Sequence, residues 1–455
     1  MVHPETSEFV KKKTPKIWVT SAEMGLGHLR AAYPLLDLAG GELLIAGEKE
    51  TASAGERRQW RLFRQVYESL SRVRRIPGIG LFLYGLLEKA QNISPYYPFR
   101  DLSQPSLQVK FLKYLVKKGM GRQMAHRVEQ ERRPVVTTFY ALALALEKYT
   151  DLPVYCVICD ADFNRVWVAE DPKSSRIKYF APCSHAWRRL RQYGVPDERI
   201  FVTGFPLPLE NIGDPTMNIL RRDLAQRLHR LDVTGRFAVV HGAQARNYLG
   251  EEWEALPEGR LSLTFAVGGA GAQVEIGATI IRGLKSHLEE GRIQLNLVAG
   301  LRPEVRDYFR RVLREEGLDK LSNGQPGMDV VEILYADNFP EYFAKFNRLM
   351  ARTDLLWTKP SELSFYCGLG IPIIIAPPIG PHEVYNQQWL MEIGAGFPQQ
   401  NPKHCGDWIF ELLEEGRFTL MAWDGFLYGR TLGVYKIAEV IRTGKMVREI
   451  NPLRR

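Results

Sequence analysis

The chain has little cysteine: five residues in 455. An odd number scattered over such a length excludes a disulfide framework and predicts a reducing, cytoplasmic setting. Long apolar runs are missing as well. None reaches the roughly 18–20 residues that a membrane-spanning helix needs, and no secretory signal pattern opens the chain. No repeat of 20–50 residues and no low-complexity tract is visible, which excludes a solenoid. What is present is an ordinary globular mixture, 45% hydrophobic and 25% charged. At this length one core is too few, and two or three domains are expected.

Net charge is +9, but it is concentrated. Between Arg57 and Arg133, 17 Lys and Arg stand against 5 Asp and Glu, a local +12, so the remainder sums to about −3. Seven arginines between Arg57 and Arg75 alternate with Trp60, Phe63 and Tyr67. Arg57, Arg61 and Arg64 fit one helix face, with Leu62, Phe63, Val66 and Leu70 on the other. "LQVKFLKYLVKKGMGRQM" repeats the style with lysines. Such segments suit an anionic membrane surface, suit nucleic acid less well, and also occur as solvated faces of core helices.

From Lys16 onward strand-like and helix-like segments alternate. "KIWVT", "PVVTTF", "PVYCVI", "IKYFAP" and "IFVTG" read as strands; "LRAAYPLLDLA", "YALALALEKY" and "SHAWRRLRQYG" read as helices. Cys156 and Cys159 form a C-x-x-C inside a run that reads as a buried strand, so core cysteines are expected rather than a metal or redox pair. "GFPLPLENIGDPT" (204–216) is the linker candidate. Beyond it "FAVVHG", "LSLTFAVGG", "IQLNLVAG", "VVEILY", "DLLWT" and "IPIIIAPP" are strand candidates, and "FLYGRTLGVYKIAEVIR" reads as helical. The pattern predicts an α/β protein with two Rossmann-like domains. The divisions expected are 1–215, with a basic insertion at 52–133; 216–420; and a terminal helical segment, 421–455.

Three places could carry chemistry. In "KIWVTSAEMGLGHLRAA" a strand hands over to a helix through Gly25, Gly27 and His28. Glycines let a phosphate approach the backbone, and an imidazole suits base work near neutral pH, unless it merely caps its own helix. Glu23, Asp160 and Asp162 are rival bases, or helix caps and ion-pair partners. "TFAVGGAGAQVEIG" is strand, glycine turn, helix. It is neither a dinucleotide fingerprint nor a Walker loop, but its first helical N–H groups favour an anion. In "DLLWTKPSELSFYCGLGIPIIIAPPIGPHEVYN" Ser361 is placed to cap a short helix ending at Gly368 or Gly370. A proline–glycine turn there brings His382, Glu383 and Asn386 to a helix start.

The last run, together with "EMGLGH" and "RIFVTGFPLP", resembles two-domain (GT-B) glycosyltransferases, nearest in pattern to monogalactosyldiacylglycerol synthase and the N-acetylglucosaminyltransferase of the peptidoglycan lipid intermediate. The resemblance spans both halves. It implies two domains facing across a cleft, the final helix returning to the first, and transfer of a sugar from a nucleotide diphosphate sugar, uridine-linked, to a lipid or other hydroxyl acceptor with inversion. It implies no metal and no further cofactor, and a peripheral place at the inner membrane face. Gly269, Ala270 and Gly271 would approach the diphosphate with Gln273 beside them, and Lys359 and Ser361 would lie near the nucleotide. Glu383 and Asn386 would hold sugar hydroxyls, and His28 would face the acceptor. The family's ribose-binding glutamate falls here on Phe365, with Glu362 the nearest acid. Two other readings stay open: a nucleotide-sugar epimerase, and a non-catalytic sugar-nucleotide or lipid-binding protein.

Overall fold

The computed structural model describes residues 15–72, 93–255, 257, 259–266, 271, 273–322, 324 and 329–447, with backbone alone for 66–72. The described chain forms two compact units. One contains the chain up to Leu207, the segment Ile379–Asn386 and the chain from Arg430; the other contains Pro208–Pro378 and Gln387–Gly429.

Each unit is built on a six-stranded, wholly parallel sheet. The N-terminal sheet has β1 (Trp18–Ala22), β2 (Leu43–Ala46), β3 (Val135–Thr137), β4 (Val154–Val157), β5 (Lys178–Phe180) and β6 (Ile200–Phe201), ordered β2-β1-β3-β4-β5-β6. The C-terminal sheet has β7 (Leu261–Ala266), β8 (Ile293–Gly300), β9 (Val331–Tyr335), β10 (Leu355–Thr358), β11 (Ile373–Ile375) and β12 (Gly396–Pro398), ordered β12-β11-β10-β7-β8-β9. β1, β3, β4, β7, β8, β10 and β11 are buried at every position. That explains their near-continuous apolar runs, because helices cover both faces of such a sheet. The expected α/β class, two Rossmann-like units, is what the chain adopts.

The strand orders locate the functional ends. In the N-terminal sheet the chain leaves β1 for the β2 edge, then restarts at β3 on the other side of β1. In the C-terminal sheet it runs β7-β8-β9 outward, then restarts at β10 beside β7. The β1/β3 and β7/β10 pairs are therefore topological switch points, where loops diverge at the carboxyl ends of the strands and open sheets of this kind bind ligands.

Several expectations are corrected. "FAVVHG" lies in a helix, Arg236–Leu249. Asp232 reaches its start, accepting from the backbone N–H of Phe237 at 3.0 Å and of Ala238 at 2.8 Å. That cap outweighs the β preference of Val239 and Val240, both of which project into solvent. β2 and β12, short edge strands, were not anticipated. "LRAAYPLLDLA" is a helix only to Ala32, tightening into a 3₁₀ turn at Tyr33–Leu35 around Pro34. The terminal helical stretch is two helices, Arg417–Tyr428 and Gly433–Thr443, parted at Gly429. In the basic helix Ala54–Arg72, Glu56 and Trp60 are buried and half-buried Phe63 sets its ring 6.2 Å from that of Phe139, whereas Leu62, expected on the same apolar face as Phe63, is exposed. Glu56 is held there by accepting from the N–H of Ser53 at 2.8 Å and of Gln123 at 2.9 Å.

Candidate functional site

In the N-terminal unit the site grows from the ends of β1, β3 and β4. After β1 the chain turns at Gly25, whose φ of +97° suits glycine, and enters the helix Leu26–Ala32, in which Gly27 is the second residue. His28 lies one residue further on and is nearly buried, its ring edge-on to Phe139 and tilted against Trp167. Its Nδ1 is 2.7 Å from the carbonyl oxygen of Thr138, just past β3. A carbonyl only accepts, so Nδ1 carries the proton and Nε2 is the basic nitrogen of the neutral ring. Thr138 is itself tied to β1: its N–H donates to Thr20 O at 3.1 Å and its hydroxyl to Ser21 Oγ at 2.8 Å. The imidazole is thus anchored across the β1/β3 switch point.

β4 adds the next group. Cys159 Sγ also donates to the Thr138 carbonyl, at 3.7 Å. Asp160 follows, its Oδ1 accepting from Asn386 Nδ2 at 2.9 Å, while Asn386 Oδ1 accepts from the N–H of Ala161 at 2.7 Å. Asn386 is fully buried and clasps the loop after β4 with both ends of its amide. Two residues on, Asp162 is removed from the list of bases. It is fully buried, and both its oxygens take 2.6 Å hydrogen bonds from Arg189, at Nε and Nη2. Burial raises its carboxyl, and the paired guanidinium opposes that shift. Glu23 is the other rival. It is exposed and ion-paired with Arg64 at 2.8 Å, so it faces the basic helix.

Glu383 is buried and turned back on its own loop. Its Oε2 accepts from the N–H of Ile379 at 2.6 Å and of Gly380 at 3.4 Å, which stiffens the turn into the helix Pro381–Glu392. All five cysteines are free and buried, and burial pushes the Cys156 thiol upward and that of Cys183 to about 12. The C-x-x-C is core, as its strand context implies.

In the C-terminal unit the corresponding loops follow β7, β8, β10 and β11. Gly269 and Ala270, which follow β7 in sequence, lie outside the described residues. Gly271 has φ +67°, and a Cβ there would meet the Arg302 side chain at 3.3 Å. Gln273, also left-handed at φ +68°, precedes the helix Val274–Gly283 and donates from Nε2 to Pro377 O at 2.7 Å, joining the loops after β7 and β11. Across the switch point, Thr358 at the end of β10 donates to Ala266 O at 3.3 Å. Half-buried Lys359 comes next. Ser361 begins the 3₁₀ helix Glu362–Leu369 without a side-chain cap, and Gly370 ends it in the left-handed region. Glu362 is half-buried, whereas Phe365 packs its ring on Trp389. No polar group can act from that place, and Glu362 is the acid at hand.

Thr138 and Arg302 were not singled out from the sequence. Thr138 acts through a main-chain atom, which no side-chain pattern reveals. Arg302 could have been found: "VAGLRPE" puts a cation between β8 and the helix Pro303–Glu315, at a strand's carboxyl end.

Residues 257–441 match a family model described as a domain of unknown function, DUF6938. No curated protein matches the chain. Among solved structures, Staphylococcus aureus MnaA with UDP is 13% identical over 94% of this chain and 96% of that one, with a TM-score of 0.49. Acinetobacter baumannii MurG is 13% identical over 94% and 99%, with a TM-score of 0.47. UDP-GlcNAc 2-epimerase from Neisseria meningitidis, bound to UDP-GlcNAc, is 13% identical over 94% and 99%, with a TM-score of 0.45.

Proposed function

We propose that this protein is a glycosyltransferase that moves a sugar from a nucleotide diphosphate sugar, uridine-linked, to a hydroxyl acceptor of lipid type at an anionic membrane surface. The observation that carries the reading is His28, held by Nδ1 on the Thr138 carbonyl at a topological switch point, so that Nε2 is the nitrogen able to take a proton. In this reading Nε2 accepts the proton of the acceptor hydroxyl as its oxygen bonds to the anomeric carbon. The bond from that carbon to the diphosphate oxygen breaks, and the diphosphate leaves with the electron pair. Within the C-terminal unit, Arg302 after β8 and Lys359 after β10 are the cations proposed to meet the phosphates of a bound nucleotide. Glu362 or a neighbouring group holds the ribose. The motif resemblance supports the same assignment, and no step calls on a metal.

The test pairs calorimetric titration of UDP and UDP-sugars with a turnover assay. Acceptor-dependent release of UDP, falling ~10²–10⁴-fold in His28→Ala while UDP affinity holds, is the expected result. Conversion of the nucleotide sugar without an acceptor would make the protein an epimerase, and binding without turnover would make it a receptor; either overturns the proposal. Gly269→Asp places a carboxylate where the diphosphate is to sit, so it is expected to abolish UDP binding and leave the melting temperature unchanged.

A further inference from the structure

The helix Leu107–Lys117 buries Val109, Leu112 and Val116. At 100° per residue those three share one face, and Leu107, Phe111 and Tyr114 project from the opposite one. Leu107 is 83% exposed, Phe111 59% and Tyr114 53%. Solvated helix faces ordinarily carry charge at such positions, and here the outermost ridge is two aromatics and a leucine.

The surroundings of the ridge are cationic. Lys110, Lys113, Lys117 and Lys118 all lie within one helix length, and no Asp or Glu occurs from residue 102 to residue 128. Lys118 Nζ stands 5.6 Å from the Tyr114 ring centre. Lys113 is ion-paired with Glu170 and turned to the flank. Lys110, Lys117 and Lys118 are exposed.

We infer that this helix is the membrane-docking element of the protein. It lies flat on an anionic bilayer, with Leu107, Phe111 and Tyr114 entering the acyl boundary and Lys110, Lys117 and Lys118 meeting headgroup phosphates. This deepens the membrane part of the proposed function and rests on it only there. The charge selects an anionic partner, and the apolar ridge selects a lipid surface. A nucleic acid would use the lysines and leave the leucine and phenylalanine in water. Because the ridge points away from the packed face, replacing it leaves the core intact.

The experiment uses the full chain, without nucleotide, so a failed donor reading cannot mask the outcome. Pelleting is measured with vesicles of phosphatidylcholine alone and of phosphatidylcholine with phosphatidylglycerol. The wild type is expected to pellet with the anionic vesicles only. Leu107→Ser with Phe111→Ser is expected to lower partitioning at least tenfold at an unchanged melting temperature, and Lys110→Glu with Lys117→Glu to lower it comparably at low salt. All five native cysteines are buried, so Phe111→Cys can be labelled selectively with an environment-sensitive dye. Its emission is expected to shift to the blue on anionic vesicles. An unshifted dye, wild-type pelleting by the Ser double variant, or binding to RNA or an acidic protein in place of vesicles would each overturn the proposal.

Discussion

Each unit buries a carboxylate against arginine, but at opposite ends of its sheet. Asp162 follows β4, two residues after Asp160, so its pair with Arg189 lies at the carboxyl end among the site loops. Asp354 precedes β10, at the amino end. It takes 3.0 Å and 2.8 Å bonds from Arg230 Nε and Nη2 and another from the N–H of Ser262 at 2.9 Å. Beside it Arg227, also buried, donates to the carbonyls of Thr353, Leu369 and Met350 at 2.7, 2.8 and 3.3 Å. Burial lowers the Arg227 pKa to about 10. The two arrangements use the same chemistry, but in the N-terminal unit the brace shares its loop with the site and in the C-terminal unit it is remote. Stability and activity should therefore be coupled in the first unit and separable in the second.

Arg189→Ala breaks the comparison most directly. It leaves the Asp162 charge buried and unpaired, which costs about 3–5 kcal/mol. Turnover per folded molecule is expected to fall with stability, because the loop carrying Asp160 loses its brace; denaturant unfolding and kcat measured together check this. Arg227→Met is the counterpart. It strips donors from three buried carbonyls and is expected to cost about 2–3 kcal/mol. Here kcat and KM should stay at wild-type values below the melting transition, and a changed KM would refute the separation.

Arg302→Ala sharpens the contrast from the functional end of the C-terminal sheet. UDP affinity is expected to drop ~10-fold, about 1.4 kcal/mol, with the melting temperature unchanged. The smallest effect belongs to Asp424, whose carboxyl burial raises while His241 opposes the shift. A raised folded-state value favours the folded chain below about pH 4, the unfolded range. That contribution is lost as pH rises through the folded value. At pH 7 the ionised group is then a slight burden. Because the side chain is partly solvated, Asp424→Asn is expected to raise the melting temperature by only ~1–2 °C. The gain should disappear in acid, and one that persists at pH 3 would refute the assignment.

The fold was legible where burial wrote it into composition. Strands covered on both faces, such as β8 with "IQLNLVAG", leave long apolar runs. Edge strands do not: β12 holds a glycine and a proline, and β2 is half-exposed. "FAVVHG" misled because its composition is that of a strand, while its helix depends on Asp232, outside the run. At the site, the glycine–histidine turn was legible from spacing. The Asp160–Asn386 clasp joins residues 226 positions apart and could not be read locally. Glu383 and Asp162 were recognisable as acids near a strand end. Only the structure shows that one braces its own turn and the other neutralises an arginine.

The division of the chain has a consequence for its synthesis. Among the described residues the polypeptide crosses between units four times, at 207/208, 378/379, 386/387 and 429/430. The first 207 residues emerge from the ribosome without the Asn386 amide that clasps the loop after β4. They also lack the helix Gly433–Thr443, whose first glycine abuts the Phe205 carbonyl too closely for any side chain. The nascent N-terminal unit must therefore wait, incomplete, while the segments 208–378 and 387–429 of the other unit are made, and a message truncated after residue 207 would yield a fragment for chaperones rather than a domain.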